Sequence, residues 1–289
     1  MDYFSHEKNI NILSDDNPII FSHKFTPSDS ERHTLHINQY YEIYIFISGD
    51  ADYIVKSSCY QLQKGDIIVI SPYEVHSVIL KSTCEYERFY CLIPANSFDS
   101  LQIDPLKGFE RKYSSGHNLL RLSPDKKKLI LSQLYKMSEM SKIGGSTAPM
   151  MTFGIFLEFL STIIFEKGND SDYTETVAYS NTSPIVADAL TYMEKNFATI
   201  ENVSEISHYL NVTHPYLSSI FKKNTGVSMK QYLQHLRIAR AKQLLEENHS
   251  VTDVCFESGF NDCSHFIKIF KETLGVTPYK YKKSCHFQK

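Results

Sequence analysis

Hydrophobic residues in the first third of the chain fall into short runs that are typical of β-strands. These runs cover residues 40–47, 53–55, 67–70, 78–80 and 89–93, and they are rich in β-branched and aromatic side chains. Gly, Pro, Ser and Asp separate them at intervals of roughly 8–12 residues, which is the spacing of strands in all-β domains. The pattern predicts an antiparallel β-sandwich or β-barrel.

After Pro124 the hydrophobic period becomes helical. A first helix is indicated by the spacing of Leu129, Ile130, Leu134, Met137 and Met140. A second predicted helix, residues 148–167, is apolar nearly all round, so it is buried either within its own chain or against a second copy of the chain. Residues 168–183 are polar and low in aliphatic side chains, and they are predicted to be a linker.

From Ser183 onward the whole pattern is helical, with clear start signals. Ser183 precedes Pro184, which suits the first position of a helix. Three further segments pair a capping side chain with an acid or amide three residues later, namely residues 202–205, 228–231 and 250–253. Thr213 is a further candidate cap.

Residues 203–226 and 251–275 are a degenerate repeat. Each copy predicts a short helix, a tight turn at Asn211 or Gly259, and a second, amphipathic helix. The second helices carry aromatic and aliphatic side chains on one face and Ser and Lys on the other, which is the anatomy of a helix-turn-helix motif that lays this helix in the DNA major groove. The long predicted helix between them, residues 229–247, can hold the two motifs about one DNA turn apart. The alternative is a pair of helical hairpins that only pack together.

Charge is distributed unevenly between the two parts of the chain. The net charge is −3 overall, but residues 1–183 carry 17 Lys and Arg against 23 Asp and Glu, whereas residues 184–289 carry 13 against 10. A basic carboxyl-terminal part is consistent with a phosphate-bearing partner there.

Several classes of protein are disfavoured by what the sequence lacks. The six Cys include no C-x-x-C pair, which argues against a zinc ribbon or a disulfide scaffold. No signal peptide is apparent, and the most apolar stretch, residues 150–165, is shorter than a membrane span of ~20 residues. Nucleotide-binding glycine motifs and the G-x-S-x-G motif are missing. We therefore expect a cytoplasmic protein that contacts no membrane, needs no cofactor and is not an enzyme.

Residues 184–283 resemble the DNA-binding domain of AraC/XylS-family transcription regulators. The resemblance rests mainly on hydrophobic and glycine positions of both repeat copies, on the predicted helix between them and on residues 277–281 after the second copy. The residues that carry it are Ile206, Leu210, Tyr216, Leu217, Phe221, Lys222, Gly226, Arg237, Ala241, Leu244, Leu245, Val251, Gly259, Phe260, Phe266, Phe270, Lys271, Gly275, Thr277, Pro278 and Tyr281. Ser207, Cys255, His265 and Lys282 depart from the family pattern, and these departures bear on target sequence rather than on fold.

The resemblance implies roles for residues of both second helices. By position, the side chains that contact DNA base edges are Pro215, Ser218, Ser219, Cys263, Ser264, His265 and Lys268. The candidates for DNA phosphate contacts are Lys222, Arg237, Arg240 and Lys271, of which some can instead serve structural pairing.

Residues 33–80 resemble the cupin-type sensor domain that often precedes such DNA-binding domains. In catalytic cupins the matching positions hold a metal through three His and one Glu; here they are His36, Asn38, Glu42 and His76, so an amide replaces one imidazole and no metal is predicted. The same interior suits a concave pocket for a small molecule. The candidate effector-binding residues are His36, Tyr41, Glu42, Tyr44, Tyr53 and His76.

The sequence thus predicts an α+β chain. Residues 1–167 form an antiparallel, cupin-like β-barrel with dimerisation helices, residues 168–183 form a linker, and residues 184–289 form an all-α domain with two helix-turn-helix motifs. The predicted function is that of a homodimeric transcription activator that binds double-stranded DNA, a small-molecule effector such as a sugar, and RNA polymerase. Two alternatives remain, a metal-dependent cupin enzyme with a helical accessory domain and a regulator without a small-molecule ligand.

Overall fold

The computed structural model describes residues 10–12, 19–26, 37–38, 40–56, 58–94, 97–98, 118–143, 147–168 and 183–286. The amino-terminal part of the fold is built from strands. They are β1 (Ile10–Ile12), β2 (Ile19–Thr26), β3 (Tyr40–Ser48), β4 (Ala51–Val55), β5 (Ser58–Gln61), β6 (Ile67–Ile70), β7 (His76–Leu80), β8 (Tyr86–Pro94) and β9 (Leu119–Leu120).

The strands form two antiparallel sheets, as the short hydrophobic runs predicted. The larger sheet has the order β1-β2-β8-β3-β6-β9, and the smaller has the order β5-β4-β7. Because successive side chains of a strand point to opposite faces, β3 contributes to two different layers. Tyr44 and Phe46 face the smaller sheet, whereas Ile43 and Ile45 pack on the other side of the larger sheet. The space between the sheets is the barrel interior.

Helices α1 (Pro124–Ile143) and α2 (Ala148–Gly168) cover the outer face of the larger sheet. By length and composition α2 could cross a membrane, so the sequence argument that this stretch is too short is wrong. One face of α2 nevertheless packs into the core between sheet and α1 through Phe156, Phe159 and Ile163. The opposite face is exposed, with Met150 and Phe165 among its large apolar side chains. The helix therefore has a core face and an exposed face that carries large apolar side chains near its two ends.

The carboxyl-terminal part of the fold is helical. Its elements are α3 (Pro184–Asn196), α4 (Ser204–Tyr209), α5 (His214–Thr225), α6 (Met229–Glu246), α7 (Val251–Glu257), α8 (Cys263–Leu274) and α9 (Pro278–His286). The predicted start signals are confirmed at α6, where Ser228 and Gln231 form a reciprocal capping box, and at α7, where Ser250 Oγ accepts from the Asp253 amide. The predicted linker, residues 168–183, lies outside the described residues except at its two ends.

Two hydrophobic cores organise these helices, one for each repeat copy. Leu190, Phe221 and Tyr232 belong to the first core, and Leu244 and Phe270 belong to the second. The long helix α6 contributes to both, because its amino-terminal half packs in the first core and its carboxyl-terminal half in the second. The structure therefore confirms the duplicated arrangement of two helical halves on one shared helix. We call them the first and the second half.

Candidate functional site

The second helices of the two repeat copies, α5 and α8, have matching local structure. Each is preceded by a turn that uses a positive φ, 54° at Asn211 and 88° at Gly259. Each ends at a glycine in the left-handed region, Gly226 with φ 79° and Gly275 with φ 76°. The helix α6 between them has 18 residues, which corresponds to a length of about 27 Å. The two copies are thus the same supersecondary unit, built twice on a stiff spacer.

The outward faces of α5 and α8 carry most of the residues predicted to contact DNA. The exposed side chains on α5 are Pro215, Ser219 and Lys222. Ser218 is half-buried, and its hydroxyl oxygen lies 3.3 Å from His214 Nε2. The exposed side chains on α8 are Ser264, His265, Lys268 and Lys271. Each helix therefore presents small polar and cationic side chains to solvent on the face opposite to its core aromatic residues.

Comparison of the two copies identifies a residue that sequence reasoning missed. With the offset of 49 residues between α5 and α8, Pro215 corresponds to Ser264 and Ser219 to Lys268. The counterpart of Ser218 is then Ile267, a large apolar side chain that is 39% exposed. The repeat itself held this signal, because the offset aligns Ile267 with a predicted base-contacting position.

Cys263 does not belong to the exposed face. It is half-buried, packs against the core of the second half and neighbours the buried Cys255. Its position at the start of α8 turns the thiol toward the protein, and the prediction that Cys263 contacts a base edge is corrected accordingly. The neighbouring His265 is exposed, with its ring edge-on to Phe260 at a centroid distance of 6.2 Å.

Arg237 is used inside the helical part and not on its surface. Its Nε donates to the carbonyl oxygen of Phe197 at 2.9 Å, and its Nη2 donates to that of Ile200 at 2.5 Å. The guanidinium also lies 5.7 Å from the centre of the Phe260 ring. Arg237 therefore joins the two halves, which corrects its assignment to phosphate. Arg240 is half-buried and contacts Gln243, so it remains a candidate.

Inside the barrel, Glu42 and His76 face each other across the two sheets. Glu42 Oε2 accepts from Asn38 Nδ2 at 2.9 Å and lies 3.3 Å from His76 Nε2. His76 Nδ1 lies 2.7 Å from the carbonyl oxygen of Glu74, to which it can only donate. Both ring nitrogens of this fully buried imidazole thus face acceptors, an arrangement that suits the protonated ring.

The pKa of His76 reflects two opposing influences. Burial lowers it, while Glu42 and the carbonyl group of Glu74 raise it, and the net result is a pKa above the ordinary 6.5. The pair is therefore a buried, charge-assisted contact at the centre of the barrel.

Tyrosine rings surround this pair. The rings of Tyr44 and Tyr53 lie 4.6 Å apart, the Tyr53 ring is parallel to the His76 ring at 6.3 Å, and the hydroxyl groups of Tyr44 and Tyr86 are hydrogen-bonded. Burial raises the pKa of Tyr86 to about 12, so this hydroxyl stays protonated. Tyr44 and Tyr53 thus lie in the barrel interior, and their role in effector binding stays a prediction.

Tyr41 does not line the interior. It belongs to the core between the larger sheet and the helices, because a strand that points Glu42 inward points Tyr41 outward. The prediction for Tyr41 is therefore wrong. His36 lies outside the described residues.

The strands β2 and β8 add Lys24, Arg88 and Tyr90 to the inward face of the larger sheet, and the sequence analysis did not single them out. Lys24 lies opposite Arg88 in the register of β2 and β8. The Arg88 guanidinium lies 4.4 Å from the centre of the Tyr86 ring, and Lys24 Nζ lies 5.0 Å from the centre of the Tyr90 ring. Burial and the neighbouring Arg88 lower the pKa of Lys24 to about 8. The alternation of residues 86, 88 and 90 along β8 was the available signal.

No cluster of three His, Cys, Asp or Glu side chains is placed to hold a metal in the part of the chain that the structure describes. One carboxylate oxygen of Glu42, Oε2, contacts the amide of Asn38 and the ring of His76. The described cupin-type positions thus form a polar contact set of their own.

Comparison with known proteins assigns both parts of the chain. A model of the AraC-like ligand binding domain matches residues 22–124, and a model of a helix-turn-helix domain matches residues 206–284. Together the two matched segments cover more than half of the chain.

Curated relatives agree with these matches. The raffinose operon transcriptional regulatory protein RafR of Pediococcus pentosaceus is 35% identical over 97 residues, which are 33% of this chain and 35% of that protein. The Msm operon regulatory protein of Streptococcus mutans is 26% identical over 71% of this chain and 62% of its own length. This chain thus spans less than two thirds of the length of each of these two relatives. The transcriptional activator RhaR of Yersinia pseudotuberculosis is 22% identical over 94% of this chain and 91% of its own length.

In this one polypeptide, the match to a ligand binding domain precedes the match to a helix-turn-helix domain, and the relatives named above are transcription regulators. The chain belongs to the AraC family of transcription regulators.

Proposed function

We propose that this protein is an effector-responsive transcription activator that binds specific DNA through α5 and α8. The observation that carries the proposal is the presence of two equivalent helices, each with an exposed polar and cationic face, on the shared helix α6. Such a pair can enter successive major grooves on one side of a duplex. In this proposal residues 1–167 sense the effector, residues 168–183 tether the two parts and residues 184–289 bind DNA.

The proposed base-contacting residues lie on the outward faces of the two helices, at three pairs of equivalent positions and at His265. They are Pro215, Ser218, Ser219, Ser264, His265, Ile267 and Lys268. Lys222 and Lys271, which occupy equivalent positions one turn further along, are the proposed phosphate contacts, together with Arg240. Lys268 lies at the centre of the exposed α8 face, and its ammonium group can donate to the major-groove edge of a guanine.

The proposed effector site is the barrel interior around Glu42 and His76. A carboxylate, an imidazole and the rings of Tyr44 and Tyr53 offer hydrogen-bonding groups beside flat apolar faces, the combination that small-molecule sites use. A sugar or another polar metabolite fits this chemistry.

Three exposed apolar side chains of α2 support the proposal of a homodimer. Met150, Met151 and Phe165 are 74%, 49% and 65% exposed on this helix. Exposed apolar side chains of this kind are stabilised when a second copy covers them. We further propose that the dimer acts in the cytoplasm and contacts RNA polymerase from its DNA site.

The test is selection of DNA sites from a random pool with the full-length chain, followed by gel-shift titration at constant salt. We expect one enriched sequence with two contacted segments about one helical turn apart, each protected in footprinting. Lys268→Ala is expected to lower the specific affinity by ~1–3 kcal/mol, while nonspecific binding changes much less. Failure to enrich any sequence, with a folded protein, would contradict the proposal.

A further inference from the structure

The loop that joins β6 to β7 reaches out of the barrel and contacts both halves of the helical domain. Tyr73 in this loop donates its hydroxyl hydrogen to Glu246 of α6 and lies 3.3 Å from the hydroxyl oxygen of Tyr281 of α9. Val75, which is 1% exposed, packs into the core of the first half. Two residues of one barrel loop thus touch the two halves separately.

A buried lysine marks the centre of this contact. Lys242 is 3% exposed, and its Nζ lies 4.5 Å from the Tyr73 ring centre and 5.6 Å from that of Tyr281. Glu246, one turn along α6, accepts from the Tyr281 hydroxyl at 2.7 Å. Burial lowers the pKa of Lys242 to about 8. Since the aromatic faces and Glu246 replace water around this ammonium group, the docked position of Tyr73 is part of what holds the cluster together.

The same loop is tied to the barrel interior by two routes. In the first, His76 Nδ1 donates to the carbonyl group of Glu74, and Glu74 holds Lys56 and the Ser71 amide through its carboxylate. In the second, the Tyr73 amide donates to the carbonyl oxygen of Asn38 at 2.8 Å, and the side chain of Asn38 donates to Glu42. Both routes end at the Glu42–His76 pair.

The backbone of Tyr73 is itself held in an unusual conformation. Its φ is +67°, in the left-handed region that a residue with a side chain seldom adopts. A conformation of this kind persists only where neighbouring contacts determine it, and the contacts named above do so from both domains.

We propose that the loop of residues 71–75 is the contact surface through which the Glu42–His76 pair controls the position of the DNA-binding domain, with Tyr73 seated on Lys242, Glu246 and Tyr281. This inference rests on the proposed function, because it assigns a regulatory route to the proposed effector site. A ligand that moves Glu42 or His76 changes the hydrogen bonds of Asn38 and Glu74, and these set the place of Tyr73.

Docking through this loop orients the DNA-binding domain rather than blocking it. Ser219, Lys222, Ser264 and Lys268 are exposed while Tyr73 is docked, so the reading faces of α5 and α8 stay open. Control therefore acts on how the domain is held relative to the barrel. Linkage requires the reverse effect as well, namely that DNA bound to α5 and α8 alters the docked loop.

The first test measures amide hydrogen exchange of the full-length protein by mass spectrometry. Tyr73→Phe keeps the ring over Lys242 and removes only the hydroxyl group, so exchange in residues 240–246 and 278–286 is expected to accelerate about tenfold, the scale of a lost hydrogen bond to a charged group. Tyr279→Phe is the matched control, since Tyr279 is 68% exposed on the same helix α9. Glu246→Gln should reproduce the acceleration, and Glu247→Gln should not. Unchanged exchange in Tyr73→Phe would overturn the proposal.

The second test uses DNA as the probe, in the form of the duplex selected by the full-length chain. We expect saturating duplex to change the exchange of residues 71–80 at least about twofold in the wild-type protein and to leave it unchanged in Tyr73→Phe. A wild-type protein that binds the duplex tightly without any change in residues 71–80 overturns the coupling and leaves the proposed function intact. A protein that selects no duplex contradicts the proposed function instead, and the first test still decides whether the loop docks.

Discussion

A Cβ atom on Gly259 would lie 2.6 Å from the Cα atom of Ala198. Gly259 forms the turn of the second helix-turn-helix motif, whereas Ala198 belongs to the segment that follows α3 in the first half. The turn of one repeat copy thus approaches the backbone of the other half more closely than any side chain permits. Together with Arg237, this approach joins the two halves into one unit.

Gly259→Ala is therefore expected to destabilise the protein by about 3 kcal/mol, because a left-handed φ of 88° and a clash with backbone act together. Gly275→Ala is the matched control, with a φ of 76° and no atom within 4 Å of the new Cβ. Its expected cost is about 1 kcal/mol, from the backbone conformation alone. Urea unfolding followed by circular dichroism measures both, and equal costs would show that the approach to Ala198 is not restrictive.

Arg237 and Lys222 are expected to respond differently to substitution by Met. Arg237→Met leaves the carbonyl groups of Phe197 and Ile200 without their donor, and we expect a loss of about 2 kcal/mol in unfolding free energy. Lys222→Met should leave stability nearly unchanged and lower the salt slope of DNA binding by about 1. Unfolding and salt-dependent gel-shift titration of both variants provide the comparison. A lowered salt slope in Arg237→Met without lost stability would return Arg237 to the phosphate contacts.

Ile267 is expected to contact a thymine methyl group, since it is the apolar member of an otherwise polar reading face. Replacing thymines of the selected duplex one at a time by uracil removes single methyl groups. At one position in the α8 half-site, the change from thymine to uracil is expected to weaken DNA binding by the wild-type protein by about 0.8 kcal/mol, the value of one buried methyl group. Ile267→Ala should be insensitive at that position, while Ser218→Ala, the equivalent change on α5, should keep the sensitivity. A wild-type protein indifferent to all uracil substitutions in that half-site would exclude the contact.

The His76–Glu42 pair predicts a pH dependence of stability. Because the folded protein holds a proton on His76 more tightly than the unfolded chain does, the contribution is fully present below the unfolded pKa of about 6.5. It is lost as the pH rises through the higher pKa of the folded state. In urea unfolding between pH 5.5 and 8.5 this decline is measured as the extra stability that the wild-type protein loses relative to His76→Gln, because His235, Lys24 and Lys242, whose pKa values are lowered by burial, change the stability in the opposite sense. His214→Gln, a change on the exposed α5, should retain it.

Local patterns in the sequence were sufficient for the elements and for the family. Strand runs, the capping segments at Ser228 and Ser250 and the turn residues Asn211 and Gly259 all act through neighbours a few residues away. The repeat made the two helix-turn-helix motifs visible in the same way, and it also held the signal for Ile267. Even the error at Tyr41 was open to local correction, because strict alternation along β3 cannot point both Tyr41 and Glu42 inward.

Contacts between distant segments were decided only by the tertiary structure. Arg237 looks like any surface cation of a basic helix until the carbonyl groups of Phe197 and Ile200 are placed beside it. Tyr73 reads as an ordinary turn residue, yet its partners Glu246 and Tyr281 lie about two hundred residues further along the chain. A side chain's surroundings depend on which remote segments pack around it, and short-range periodicity carries no information about that choice.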